Sequence, residues 1–121
     1  MKRVLVVDDS ATVRQQVGLA LKEAGYDVVE AFDGADGAQK IRSDGTIAMV
    51  ICDVNMPRMN GLEMLEDLQR GAVRPGLPIV MLTTEGHEEL LKRAKAAGAK
   101  GWIVKPFKAE LLIGAVKKLA A

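Results

Sequence analysis

Asp8 and Asp9 sit side by side near the start of the chain, Asp53 lies near its middle, Thr83 and Thr84 follow, and Lys105 precedes Pro106. Carboxylates, hydroxyls and an ammonium are the groups that phosphate and metal chemistry uses. Three carboxylates brought together repel one another unless a cation compensates them. A hard divalent ion is the natural partner: Mg2+ takes oxygen ligands in octahedral geometry, often one or two carboxylates with phosphate oxygens and water. With a single His and a single Cys, the chain offers no ligand set for zinc. In such surroundings Asp53 can attack phosphorus as a carboxylate nucleophile while Lys105 and Mg2+ neutralise charge on the transferring group. An aspartate alone is more often a helix cap or turn former. The set carries this chemistry only if the fold gathers it.

The elements that must do the gathering are legible as two alternating signals. Short apolar runs at 4–7, 49–52, 79–82 and 102–104 read as strands buried on both faces. A weaker candidate at 27–31, with only Val28 and Val29 strongly apolar, reads as a sheet edge. Between them, Val13, Val17, Ala20, Leu21 and Ala24 recur at helical spacing after an N-cap at Ser10, and Gly25 stands where a C′ glycine ends a helix. Further helices are expected over 35–43, 62–69, 88–97 and 109–119. Strict βα alternation implies a five-stranded parallel sheet with helices on both faces, an α/β doubly wound fold. Ligands of such sheets bind beyond the carboxyl ends of the strands. Asp8-Asp9, Asp53, Thr83-Thr84 and Lys105 all fall there.

Composition narrows the function further. The 121 residues, 49% hydrophobic, fit one domain spanning 1–121. The Pro/Gly-rich stretch 74–78 is short and precedes a strand, so it reads as a loop. A net charge of +1 lacks the excess of a nucleic-acid binder. The apolar stretch after the initial Met, Lys and Arg is cut by Asp8, too short for a signal sequence or membrane span, so the expected location is cytoplasmic. Cys52, between apolar neighbours and Asp53, reads as a buried core thiol. His87 reads as a solvent-facing residue near a helix start, and Met56 and Met59 as gap fillers. No G-x-x-x-x-G-K-[ST] or G-x-G-x-x-G is present, so ATP is not expected as a direct donor.

The segments V-L-V-V-D-D-S at 4–10, D-V-N-M-P-R-M-N-G at 53–61, T-T-E at 83–85 and K-P-F at 105–107 resemble the response-regulator receiver signature in order and spacing, and are most similar to the chemotaxis CheY branch of that family. The resemblance implies a flavodoxin-like (βα)5 fold with strand order 2-1-3-4-5. It makes Asp53 the phosphoacceptor, supplied by a CheA-like histidine kinase. It gives Mg2+ the carboxylates of Asp9 and Asp53 and the backbone carbonyl of Asn55, with Asp8 nearby. Lys105, followed by a cis proline bond, pairs with the phosphoryl group. Thr83 and Trp102 become the switch pair, and Asn55 and Glu85 the residues that tune dephosphorylation. Two positions depart from the best-known pattern: Val54 replaces an aromatic after the acceptor, and tryptophan stands where tyrosine is more familiar.

With one domain, the output is expected at a surface of a monomer; the resemblance implies the fourth helix, fifth strand and fifth helix, binding a partner such as a flagellar motor switch component in chemotaxis or motility. Leu112, Ala115, Val116 and Leu119 form a stripe expected to pack on the sheet, leaving Leu111 and Ile113 over. Lys92, Arg93, Lys95, Lys100, Lys108, Lys117 and Lys118 are expected to make the surroundings basic. The alternatives are a phosphorelay intermediate that hands phosphate to a histidine phosphotransfer protein and a phosphohydrolase of the haloacid-dehalogenase type. The latter needs an acid/base two residues after the nucleophile, where Asn55 cannot transfer protons as a carboxyl does. A switch that promotes only its own phosphorylation and dephosphorylation, rather than a turnover enzyme, is therefore expected.

Overall fold

Alternating faces of the strands decide where everything else packs. In the computed structural model, which describes residues 2–54, 59–84 and 88–120, five parallel strands run in the order β2-β1-β3-β4-β5. They are β1 (Arg3–Val7), β2 (Asp27–Ala31), β3 (Ile47–Asp53), β4 (Ile79–Thr83) and β5 (Gly101–Val104). Five helices connect or follow them: α1 (Ala11–Glu23), α2 (Gly34–Ser43), α3 (Gly61–Arg70), α4 (Glu88–Ala96) and α5 (Ala109–Leu119). Because side chains alternate along a strand, Val4, Val6, Met49, Ile51, Val80 and Leu82 face α1 and α5, where they meet Val17, Leu21, Leu112 and Val116. Leu5, Val7, Val50, Cys52 and Met81 face the other way, against Ile41 of α2, Leu62, Met64, Leu65 and Leu68 of α3 and Ala94 of α4. The central strands β1, β3 and β4 are buried on both faces, which is why they read as unbroken apolar runs.

The helix ends follow local chemistry. Ser10 Oγ accepts from Val13 N at 3.3 Å, capping α1, and Gly25 just beyond its end has φ +93°, a left-handed conformation that glycine adopts without strain. In α2 the cap is Asp33, whose carboxylate accepts from Asp36 N at 2.8 Å, so this helix begins at Gly34 rather than at 35. Asn60 and Glu63 form a reciprocal capping box that fixes the start of α3 at Gly61.

Two expectations are corrected here. β5 is not buried on both faces: it is a sheet edge, with Ile103 turned toward the α1/α5 core while Trp102 and Val104 are exposed. A run of three apolar residues carries no sign of which strands flank it, and the crossover leaves β5 with β4 alone. Ile113 is not left over from the α5 stripe. It packs, half-buried, against the α1/α5 core, whereas Leu111 is 62% exposed.

At the amino ends of the strands Arg3 gathers three segments, pairing with Asp27 of β2 and with Asp44 before β3, both at 2.9 Å, and donating to Thr46 Oγ1 at 3.0 Å. The hydroxyl and backbone N–H of Thr46 both donate to Asp44, and with Arg3 they lower its carboxyl from 3.8 to about 2. A carboxyl held below its unfolded value contributes stability above the unfolded pKa and loses it as pH falls through the folded one. The contribution of Asp44 is therefore complete above about pH 4 and disappears toward pH 2. Carboxyl NMR titration should find Asp44 near pKa 2, and Thr46→Val should move it up toward 3.8.

Candidate functional site

Register places the chemistry. Val7 lies opposite Ala31 on one side and Cys52 on the other, so the next residues, Asp8 and Asp53, emerge together at the carboxyl edge. Asp53 is in turn opposite Leu82, and Thr83 opposite Val104. Val54 N donates to Leu82 O at 2.9 Å and Lys105 N to Thr83 O at 2.7 Å, which extends the pairing past the strand ends. Asp8, Asp53 and Thr83 are all buried. Burial of charged groups demands partners, and Lys105 reaches across β4 to provide one. Its Nζ lies 3.1 Å from Asp8 Oδ2 and 3.2 Å from Asp53 Oδ1. Asp8 also accepts from Ser10 N through Oδ1 at 2.9 Å.

The environment sets the charge state of Lys105. Its burial alone would lower the ammonium's pKa, but attraction to Asp53 and then Asp8, with hydrogen bonds to both, outweighs it and raises the pKa above the usual lysine value. The stabilisation this represents is fully present below the ordinary lysine pKa and is lost only as pH rises through the raised one. Lys105 is thus a fixed cation at neutral pH. Cys52 behaves oppositely: burial, then the charges of Asp53 and Asp8, push the thiol far up, so it stays neutral. The expected core thiol is what the structure contains, and its Sγ donates to Asp53 O at 3.4 Å.

Carboxylate oxygens of Asp8, Asp9 and Asp53 lie within 4.8 Å of one another, with Asp9 exposed and the other two buried. Among the described residues, three carboxylates against one ammonium leave two negative charges in excess, and oxygen donors at this spacing suit a hard divalent cation. Asp9 is the member open to solvent. Asn55, Met56, Glu85 and His87 lie outside the described residues. Trp102 is not in this pocket: opposite Met81 on β5, it is 40% exposed. Of the basic residues expected around it, Arg93 is bound to Glu66 of α3 at 2.6 and 3.0 Å and so faces another helix. Lys92 pairs with Glu88 along α4 at 3.5 Å.

Some residues that shape the site carry no chemical motif. A Cβ on Gly61 would fall 2.3 Å from Asp53 O, and one on Gly34 would fall 2.5 Å from Met59 O, so α3 and the start of α2 rest directly on the backbone around the acidic edge. Gly61 N donates to Val54 O at 3.2 Å and Gly34 N to Met59 O at 2.9 Å. Asp33 adds a buried carboxylate beyond β2 in its capping role. Arg14, near the start of α1, donates through Nη1 to Asp8 O at 2.6 Å. A cation so close to a helix N-terminus opposes the helix dipole, and α1 has no acidic residue in its first turn. That mismatch is the signal by which the sequence marks Arg14.

A doubly wound parallel sheet with clustered carboxylates, a hydroxyl and a lysine at its carboxyl edge places the chain among small α/β proteins with an acidic site at the strand ends. The family model for the response regulator receiver domain matches residues 4–117, and the chain belongs to this family. Among curated relatives, chemotaxis protein CheY1 of Helicobacter pylori is 38% identical over 111 residues, covering 91% of this chain and 90% of that protein. The crystallised chemotaxis protein CheY4 of Vibrio cholerae is 40% identical with a TM-score of 0.91, covering 98% of each chain. Response regulator protein TrrA of Thermotoga maritima, solved in complex with Mg2+ and BeF, is 34% identical with a TM-score of 0.87, covering 98% of this chain and 99% of that one.

If repulsion among the carboxylates is a real cost, relieving it should stabilise the metal-free protein. Asp9→Asn, in chelator, is expected to raise the urea midpoint by an amount equivalent to no more than about 1 kcal/mol, since Asp9 is exposed. Mg2+ should then stabilise wild type more than the variant, which has lost a charged oxygen. Thermal unfolding with and without Mg2+ measures both.

Proposed function

We propose that this chain is a receiver acting as one domain, which accepts a phosphoryl group on Asp53 from a phosphohistidine donor and thereby changes its affinity for a partner protein. The observation that carries the proposal is the placement of Lys105 Nζ between Asp53 and Asp8 in a buried acidic pocket. Asp53 presents its carboxylate oxygen to phosphorus; the oxygen–phosphorus bond forms as the phosphorus–nitrogen bond of the donor breaks, and the released imidazole nitrogen acquires a proton from solvent. Lys105 exchanges part of its interaction with Asp53 for one with the transferred group, so its ammonium follows the charge. Asp9 and Asp53, with the Asn55 carbonyl, would hold Mg2+, and Asp8 would act beside them through its bond to Lys105 and its hold on Ser10. Bound there, Mg2+ supplies charge neutralisation for the phosphoryl oxygens. The Mg2+ and BeF complex of the Thermotoga maritima relative supports that choice of ion.

Output follows from what phosphorylation adds: about −1.5 to −2 charges and new acceptor oxygens. Thr83, buried at the end of β4, is the hydroxyl that answers them. Its strand lies against β5, where Trp102 faces outward. We assign Thr83 and Trp102 as the switch, Asn55 and Glu85 as residues that orient an attacking water, and the surface around α4, β5 and α5 as the partner's footprint. The relatives named as chemotaxis proteins support a role in chemotaxis, and a chemotaxis kinase as donor, a motor switch component as target and a cytoplasmic setting belong to the same reading. The protein would act as a monomeric switch that turns over only its own phosphate.

Asp53→Asn should abolish base-labile acyl-phosphate labelling by a phosphohistidine donor, because an amide is not a carboxylate nucleophile; undiminished labelling would sink the assignment. As Trp102 is the chain's one tryptophan, its fluorescence and quencher accessibility should change when beryllofluoride and Mg2+ are added. Thr83→Ala should remove most of that change. A flat signal from a demonstrably modified protein would mean that another surface carries the output.

A further inference from the structure

Asp9 is the exposed member of the acidic cluster, and its place depends on the two peptides on either side of it. On the far side the turn is fastened by Ser10, whose N–H donates to Asp8 Oδ1 at 2.9 Å and whose carbonyl accepts from Arg14 N at 3.0 Å. On the near side the Asp8–Asp9 peptide is held by a side chain: Arg14 Nη1 donates to Asp8 O at 2.6 Å. Asp8 O belongs to the same rigid plane as the Asp9 N–H, so fixing the oxygen fixes the direction from which Asp9 leaves the strand. The guanidinium is itself paired. Its Nε lies 3.1 Å from Glu30 Oε1 on β2, and its side chain is only 18% exposed.

We infer that Arg14, oriented by Glu30, is a positioning residue for the divalent-cation site: it acts on the ion through the Asp8–Asp9 peptide, not through contact. The inference rests on the reading of Asp9 as a cation ligand. It also explains why a cation sits where the α1 dipole disfavours one, because planar guanidinium can bond a carbonyl with one nitrogen and a carboxylate with another. Outer partners that orient metal ligands are typically worth about 10- to 100-fold in affinity.

Charge and position predict opposite signs, which makes the inference testable. Removing a positive charge near an acidic cluster should by electrostatics alone tighten Mg2+ binding. Losing the positioning contact should weaken it. Titration calorimetry with Mg2+ alone, on protein first stripped with chelator, is expected to give Arg14→Met a Kd about ten-fold or more above wild type. Arg14→Lys, which keeps the charge but cannot hold Asp8 O and Glu30 together, should also raise the Kd. Circular dichroism and the urea midpoint in chelator separate this from general destabilisation. Equal or tighter binding by a folded Arg14→Met protein overturns the inference. Should that variant not fold, Arg14→Lys decides: an unchanged Kd overturns the inference and a raised one supports it. A wild-type chain that binds no Mg2+ would remove the cation-site reading itself, and with it the role of Arg14.

Discussion

One ammonium ties the carboxyl edge of the sheet together. Lys105 follows the end of β5, passes over β4 and meets Asp53 of β3 and Asp8 just past β1, a partner 97 residues away in the chain. Without a cation there, two buried carboxylates would face one another across a few ångströms in an environment too dry to screen them, with a third beside them at the surface. The sheet can afford this arrangement because its central strands are apolar on both faces and hold their register regardless of what stands at their ends. Hydrophobic burial fixes the strands, the strands fix the carboxylates, and the carboxylates fix the lysine.

Legibility in the sequence tracks how local each cause is. Strands β1, β3 and β4 were readable because burial on two faces leaves an unbroken apolar run, and Ser10 because a cap bonds three residues along its own chain. The weak apolar content of 27–31 correctly placed β2 at an edge. The matching property of β5 was not readable: Trp102, Ile103 and Val104 are apolar in sequence, and only the strand order reveals that one side lacks a neighbour. Ile113 was misjudged because a helix wedged between a sheet and α1 buries a wider arc than a single stripe. Arg93 was counted toward a basic surface, but its Glu66 partner lies on another helix, 27 residues away.

The acidic and basic groups of the site were all legible by type, and register explains why they converge. What supports them was less so. Gly34 and Gly61 are small because the backbones of distant segments pass within contact of them, a requirement with no periodic signature. Arg14 left a faint trace, a cation at the wrong end of a helix, interpretable only once Asp8 O is seen beside it.

The division of the core into two unequal halves has a bearing on evolution. On the α1/α5 side, apolar packing reaches as far as Ile103, Phe107 and Ile113, and a substitution there must be absorbed by many neighbours. Across the sheet, packing thins toward β5: Ala94 is the only residue within α4 that is fully buried, and Trp102 and Val104 stand uncovered. Exposed polar positions on that corner, such as Lys92 and Lys95 of α4, can be exchanged with little change in buried apolar area. Positions there can therefore drift more freely than those on the α1/α5 side, while the packing that holds the strand ends in place is left as it is.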